Sequence, residues 1–317
     1  MSRFVVEPQA YRALEGKVVV LTGGANGIGA QAVKLFLARE CKVVFGDVQV
    51  AAAESFIQSL IKADPTAAGR VAFVKTDVSS YDNILELFET ARTKFGKVDV
   101  AVHMAALTEI GNWFEPDTTL ESVKRKPTTV LVDVNMLGTL YFARIAAVYL
   151  KQGATSLETD DKSMILFSSV AGFKESPGLF VYQTTKHGVL GLMRCMRKYP
   201  PIMNHIRVNC VCPWMTLTGM VDGIRDRWAE AKLPANKPED VAAVVVDMAC
   251  AKALKGETIY VEGGRAWAIE GKLDETEPLW LGAEQSRSLN EGQVVLGDLQ
   301  SGDSWRARAR LPCVSSR

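Results

Sequence analysis

Lys17-Val18-Val19-Val20-Leu21-Thr22-Gly23-Gly24-Ala25-Asn26-Gly27-Ile28-Gly29 is the stretch on which the fold turns. The unbroken apolar run reads as a strand buried on both faces, and the glycines as a tight turn into a helix expected from about Ile28 to Arg39. Glycines allow a backbone to approach a pyrophosphate, and a helix N-terminus offers it unpaired N–H groups and a positive dipole. A turn serving only chain reversal is the alternative. The strand before it and the helix after it favour a dinucleotide site, lined by Gly23, Asn26, Gly27, Ile28 and Gly29. The spacing is T-G-x-x-x-G-x-G rather than G-x-G-x-x-G.

The next strand, Lys42 to Gly46, ends at Asp47, about 20 residues past the turn, where a carboxylate can accept both hydroxyls of an adenine ribose. The same carboxylate opposes a 2′-phosphate by roughly 3 kcal/mol per charge at about 5 Å and an effective dielectric near 20. Neither Asn26 nor Val48 supplies a compensating base. NAD is therefore the expected cofactor, with NADP disfavoured. Asp77, after a third strand from Arg70 to Thr76, can face the adenine or cap the following helix.

The alternation continues through a helix from Asp82 and a strand from Val98 to His103. A long helix over about 130–150 and a strand from Met164 to Phe167 follow, then a helix holding Tyr182 and a strand from Ile206 to Val211. Pro238, Glu239 and Asp240 open a further helix, as proline and acids do at helix starts. A last strand, Thr258 to Val261, ends at Gly263-Gly264. Strands alternating with helices predict an α/β class: a Rossmann-type, doubly wound parallel sheet of about seven strands in a single domain. An N-terminal arm is expected over 1–15 and the Rossmann domain over 16–265. An extension over 266–299 should pack on the body through Trp267, Ile269, Leu279, Trp280 and Leu281. A mobile basic tail is expected over 300–317.

The 317 residues are 48% apolar with a formal net charge of +1, which gives no reason to expect nucleic acid or a membrane surface as partner. The N-terminus lacks the apolar core of a signal peptide and no run approaches 18 uninterrupted apolar residues, so a cytoplasmic location is expected. Of six cysteines, only Cys210 and Cys212 are close. They read as buried thiols on one face of a strand, with no second Cys/His pair to make a metal site.

Tyr182-Gln183-Thr184-Thr185-Lys186 places a phenol and an ammonium one helical turn apart on one face. An ammonium about 4 Å from a phenol, at an effective dielectric of about 20, favours the phenolate by roughly 4 kcal/mol. That brings a group with an ordinary pKa near 10 into general acid–base range.

These elements together resemble the short-chain dehydrogenase/reductase family over about residues 15–265, and the extended C-terminal segment is similar to NAD-dependent members related to 15-hydroxyprostaglandin dehydrogenase, including those of fungal secondary metabolism. The family's glycine motif falls on Thr22, Gly23, Gly27 and Gly29, and its Asp-Val adenine pair on Asp77 and Val78. Its helix asparagine falls on Asn135, its serine on Ser169 rather than Ser168, and its Tyr/Lys pair on Tyr182 and Lys186. The resemblance implies hydride transfer between a nicotinamide and a secondary alcohol or ketone. It makes Tyr182 the proton carrier and Ser169 the partner of the substrate oxygen. Lys186 would hold the ribose and lower the tyrosine pKa, and Asn135 would anchor a water on the way to solvent. It also implies cofactor contacts from Ala105, Thr216 and Thr218, and a homodimer or homotetramer built on the helices around 130–150 and 182–198.

Two positions depart from the family's pattern. Asn-Asn-Ala-Gly becomes His103-Met104-Ala105-Ala106, which should lose the side-chain hydrogen bonds of that turn, with His103 read as a packing residue. Pro-Gly becomes Pro213-Trp214, where Trp214 either stacks on a ring-containing ligand or packs as a lid residue. Phe173, Leu179, Trp214 and Met215 are the expected pocket for a hydrophobic, cyclic small molecule. The competing function is a cofactor-binding scaffold that acts as a non-redox cyclase or nucleotide sensor, whose usual mark would be loss of Ser169, Tyr182 or Lys186.

Overall fold

The computed structural model describes residues 2–298 apart from 112 and 157–159; the tail expected over 300–317 lies outside them. Val18, Val19, Val20 and Leu21 are all fully buried because strand β2 (Val18–Thr22) is covered on both faces. Val19 and Leu21 face one helical layer, and Val18 and Val20 the other. This is why the run reads as continuous rather than alternating.

Among the described residues, nine strands form one sheet in the order β1-β9-β8-β7-β6-β5-β2-β3-β4. The parallel body comprises β2, β3 (Lys42–Asp47), β4 (Val71–Lys75), β5 (Val100–His103), β6 (Lys162–Phe167), β7 (Ile206–Pro213) and β8 (Thr258–Glu262). These are the seven expected strands. Two short antiparallel strands, β9 (Arg265–Ala268) and β1 (Ser2–Arg3), extend one edge. The N-terminal arm and the start of the extension therefore meet in the sheet, through a register of two residue pairs that is too short to show as periodicity.

Helices α1 (Gly27–Ala38) and α2 (Val50–Ala63) follow β2 and β3, and α3 (Tyr81–Phe95) follows β4. The chain winds outward in both directions from β2, which pairs with β3 on one side and β5 on the other. That switch point opens a crevice at the carboxyl ends of the strands, where ligands bind in open α/β sheets.

Helix α4 (Val130–Lys151) is long and apolar enough to cross a membrane by length and composition. Its apolar character is used inside the fold: Leu131, Phe142, Ile145 and Leu150 are buried, most of them in the layer shared with α3. Residues Asp133–Leu137 form a π-helical turn within it, with Asn135 buried. Such a local widening often marks a functional position.

Helix α5 (Phe180–Lys198) crosses the same face, α6 (Arg225–Glu230) lies beyond β7, and α7 (Pro238–Cys250) packs against α1 on the other face. The extension continues as α8 (Glu270–Leu281) and α9 (Ala283–Asp298), which pack on each other. Of its expected anchors, Ile269 is buried and Trp267 stacks on Tyr260 with centroids 5.6 Å apart. Leu279 and Trp280 instead stand in solvent, 84% and 67% exposed. The start of the extension is thus buried while the end of α8 faces solvent.

Candidate active site

A cavity of about 1200 Å³ opens at the carboxyl ends of the strands. It exceeds the roughly 300–1,000 Å³ of an ordinary ligand pocket, leaving room for a dinucleotide and a second molecule. Gly23, Asn26, Gly27, Ile28 and Gly29 line one end together with Asp47, Asp77 and Val78. Ser169, Tyr182 and Lys186 line it with Ala105, Leu179, Trp214, Met215, Thr216 and Thr218, and Thr218 comes against the glycine turn, where a Cβ at Gly27 would stand 3.4 Å from its methyl carbon.

The glycine turn is built to exclude side chains. Gly23 has φ +73°, and a Cβ there would stand 2.9 Å from the Ala105 nitrogen; one at Gly29 would stand 1.9 Å from the Gly23 carbonyl oxygen. Helix α1 starts behind this turn with no side-chain cap at Asn26, whose amide instead donates to Gln49 at 3.2 Å. Its first N–H groups are thus left for an anion. Gly29→Ala is accordingly expected to abolish detectable NADH binding in a fluorescence titration while the chain remains folded by circular dichroism.

Asp47 closes this end. Its carboxylate accepts from Ala25 N and Gln49 N, both at 3.0 Å, which orients it and leaves further lone pairs for hydroxyls. Asp77 does not cap a helix. Its Oδ1 accepts from Ser79 N at 2.9 Å and from the Ser79 hydroxyl at 2.7 Å, while Ser80 caps α3. Among the described lining residues the single cation is Lys186, so no base stands beside Asp47. Uncapped helix, glycine cradle and ribose-seeking carboxylate together fit a nicotinamide dinucleotide.

The altered turn after β5 keeps its hydrogen bonds by another route. The Thr22 hydroxyl accepts from Met104 N at 3.2 Å and Ala105 N at 3.3 Å and bonds His103 Nδ1 at 2.9 Å. The threonine at the head of the glycine motif thus holds the backbone of this turn, while the side chains of Met104, Ala105 and Ala106 bring no polar group to it. His103 is a packing residue, buried with its ring 4.8 Å from that of Phe142. Burial first, and Lys186 second, push its pKa down to about 3, so it is neutral at physiological pH.

At the centre, the serines divide their work. The Ser168 hydroxyl donates to the Lys186 carbonyl at 2.7 Å and ties β6 to α5. Ser169 accepts from Ala171 N at 3.2 Å and stands near enough to the Tyr182 phenol to act on its pKa. Burial raises the Tyr182 pKa above its ordinary value, and Ser169 pulls it back. Lys186, buried, is pushed down to about 8 by desolvation. Its Nζ donates to the Phe167 carbonyl at 3.1 Å and stands 5.4 Å from the Tyr182 ring centroid. Burial, with Ser169 opposing it, dominates the phenol's shift in the unliganded chain.

Two expected site residues stand elsewhere. Asn135 lies behind the cavity wall: its Oδ1 accepts from Leu107 N at 2.8 Å and its Nδ2 donates to Leu107 O at 2.9 Å. Its own carbonyl accepts from the Thr139 hydroxyl at 2.6 Å, so it clamps the loop after β5. Phe173 lies outside the lining, edge-on to Tyr260 at 6.2 Å. Trp214 packs edge-on to Trp228 at 5.2 Å, and both line the cavity, so its lid contact and its exposure to a ligand coexist. Sequence reasoning missed Trp228 and Ile224 on that wall, for which no motif exists, and Glu109.

The short chain dehydrogenase family profile matches residues 17–228. The Penicillium rubens protein named short-chain dehydrogenase/reductase prx4 is 28% identical over 324 residues, spanning 95% of this chain and 90% of its own. A mitochondrial borneol dehydrogenase of Lavandula x intermedia is 30% identical over 259 residues, spanning 80% of this chain and 92% of its own. A crystal structure of a Brucella melitensis protein described as a glucose/ribitol dehydrogenase superposes with a TM-score of 0.66 at 26% identity. That match covers 79% of this chain and 96% of that one.

Proposed function

Since the chain belongs to the short-chain dehydrogenase family of oxidoreductases, we propose that it is an NAD(H)-dependent enzyme interconverting a secondary alcohol and a ketone on a hydrophobic, cyclic small molecule. The observation that carries this reading is the convergence of Ser169, Tyr182 and Lys186 on the same cavity as Asp47 and the glycine cradle.

In oxidation the carbinol carbon gives up a hydride and its oxygen a proton, so the C–O bond becomes a carbonyl. The nicotinamide supplies the hydride chemistry; the protein supplies geometry and proton transfer. Ser169 donates its hydroxyl hydrogen to the substrate oxygen and fixes its distance from Tyr182, whose phenolate takes the hydroxyl proton. In reduction the phenol returns it. Lys186, held on the Phe167 carbonyl, is placed to bind the ribose and carries charge below its pKa of about 8. Asn135 keeps the cavity wall at Leu107 fixed.

The pocket wall of Leu179, Trp214, Met215 and Trp228 supports an apolar ring as substrate, in keeping with a relative named as a borneol dehydrogenase. The test is NADH formation from NAD with bicyclic and monocyclic secondary alcohols, and with linear primary alcohols of equal carbon number. Turnover of the primary alcohols alone would overturn the substrate class.

Asp47 without a neighbouring base supports NAD over NADP. NADH is expected to bind at least about tenfold more tightly than NADPH, a difference of about 1.4 kcal/mol. Equal affinities by calorimetry would dismiss the Asp47 argument. Exposed Leu140 and Val148 on α4 support a homodimer through that helix, and a monomeric mass by light scattering at micromolar concentration would refute it.

A further inference from the structure

We propose that Glu109 is a positioning residue: from the loop after β5 its carboxylate caps α5 and fixes where the Tyr182 phenol stands. The proposal rests on the reading of Tyr182 as the proton carrier.

Helix α5 begins on Leu179, which has no side-chain acceptor, and its first turn contains no acidic residue. A helix start of this kind leaves N–H groups unpaired. Glu109 takes two of them: Oε1 accepts from Val181 N at 3.2 Å and Oε2 from Tyr182 N at 2.7 Å. A carboxylate there also meets the positive end of the helix dipole. The cap is thus supplied from outside the helix, on the backbone nitrogen of the reacting tyrosine itself.

The same segment is fastened at its other end, where Asn135 holds both backbone polar groups of Leu107. Met104, Ala105, Ala106, Leu107 and Thr108 form cavity wall, and Phe114 further along packs its ring 4.9 Å from Phe180. Wall and tyrosine are therefore joined by one carboxylate, so a displacement of this loop is passed to the phenol. The groups that face the Tyr182 side chain are Ser169, Cys212 on β7 and Lys186 over its ring. Glu109 itself meets the backbone nitrogen of Tyr182, so it acts on the phenol through position.

Two readouts on the full chain without nucleotide test this. In Glu109→Ala, the Val181 and Tyr182 amides should exchange with deuterium at least about tenfold faster, the loss expected for one charged hydrogen bond, while exchange in β2 and β6 stays unchanged. Glu109→Gln should fall between. The Tyr182 phenol, isolated as the ultraviolet difference from Tyr182→Phe, should titrate at higher pH in Glu109→Ala, because a displaced phenol loses the Ser169 contact that pulls its pKa down, with Glu109→Gln again between. Should the alanine variant not fold, the glutamine variant still separates the outcomes, since it keeps one acceptor and loses the charge. Unchanged amide exchange, or an unmoved phenol titration, overturns the proposal. Failure of the oxidoreductase reading would appear differently, as a wild-type chain inert towards NAD and secondary alcohols with both readouts still as expected.

Discussion

Replacing Tyr182 by phenylalanine is expected to lower turnover about 10²–10⁴-fold, the usual worth of a positioned proton-transfer group. NADH affinity should change little, because the phenol's neighbours remain: Ser169 keeps its bond from Ala171 N and Lys186 its bond to the Phe167 carbonyl. The pH profile should change as well. Burial raises the phenol pKa in the unliganded chain, so the wild-type oxidation rate should climb with pH as the proton is lost. Ketone reduction, which needs the protonated form, should fall. Tyr182→Phe should flatten both limbs. Initial rates in each direction decide the matter; a variant that turns over normally would favour the scaffold reading over hydride transfer. Lys186→Ala should damage affinity and turnover together, since the ammonium has no substitute among the described lining residues.

Local chemistry made the centre of this site legible. The glycine turn, the carboxylate ending β3 and the Tyr/Lys pair each occupy a few consecutive residues whose spacing is the signal, and the structure brings all of them to one cavity. What spacing could not provide is direction. One helical turn puts Lys186 beside Tyr182, but the Phe167 carbonyl that holds its ammonium at 3.1 Å comes from another strand and has no mark in that spacing. Asn135 shares that limit: its place in the helix was readable, its engagement with Leu107 was not.

Partnerships between distant segments were invisible for the same reason. Glu109 caps a helix some seventy residues later, and Thr22 rescues a turn on another strand. At the opposite ends of the strands, Lys162 meets Asp99 at 2.7 Å and Arg207 meets Asp161 at 2.8 Å, all buried. Each residue alone reads as an ordinary surface charge. Burial of one requires the other, and only the fold brings them together.

The C-terminal segment gives the second large effect. Ending the chain after Gly264 should leave it insoluble or strongly destabilised, because the cut removes more than an appendage. It deletes β9, whose Ala268 pairs with Ile259 and whose Trp267 pairs with Tyr260, and with it the partner of β1. It also removes Glu270, a buried carboxylate in the sheet-side start of α8. That carboxylate accepts from Arg194 Nε at 3.1 Å and from the Thr258 hydroxyl at 2.7 Å, and pairs with Arg197 at 3.2 Å. Without it the Thr258 hydroxyl loses its acceptor and a largely buried Arg197 loses its shortest carboxylate contact, keeping the Gly256 carbonyl at 2.8 Å. Glu270→Ala alone should therefore cost about 2 kcal/mol in urea unfolding. That is less than the roughly 3–5 kcal/mol of a fully buried broken pair, because Arg194, with its side chain 38% exposed, can turn to water. Deleting residues 300–317, by contrast, should leave the unfolding midpoint and turnover unchanged. If the chain ending at Gly264 unfolds at the full-length urea concentration, or Glu270→Ala costs nothing, the extension does not complete the sheet in the way its pairing implies.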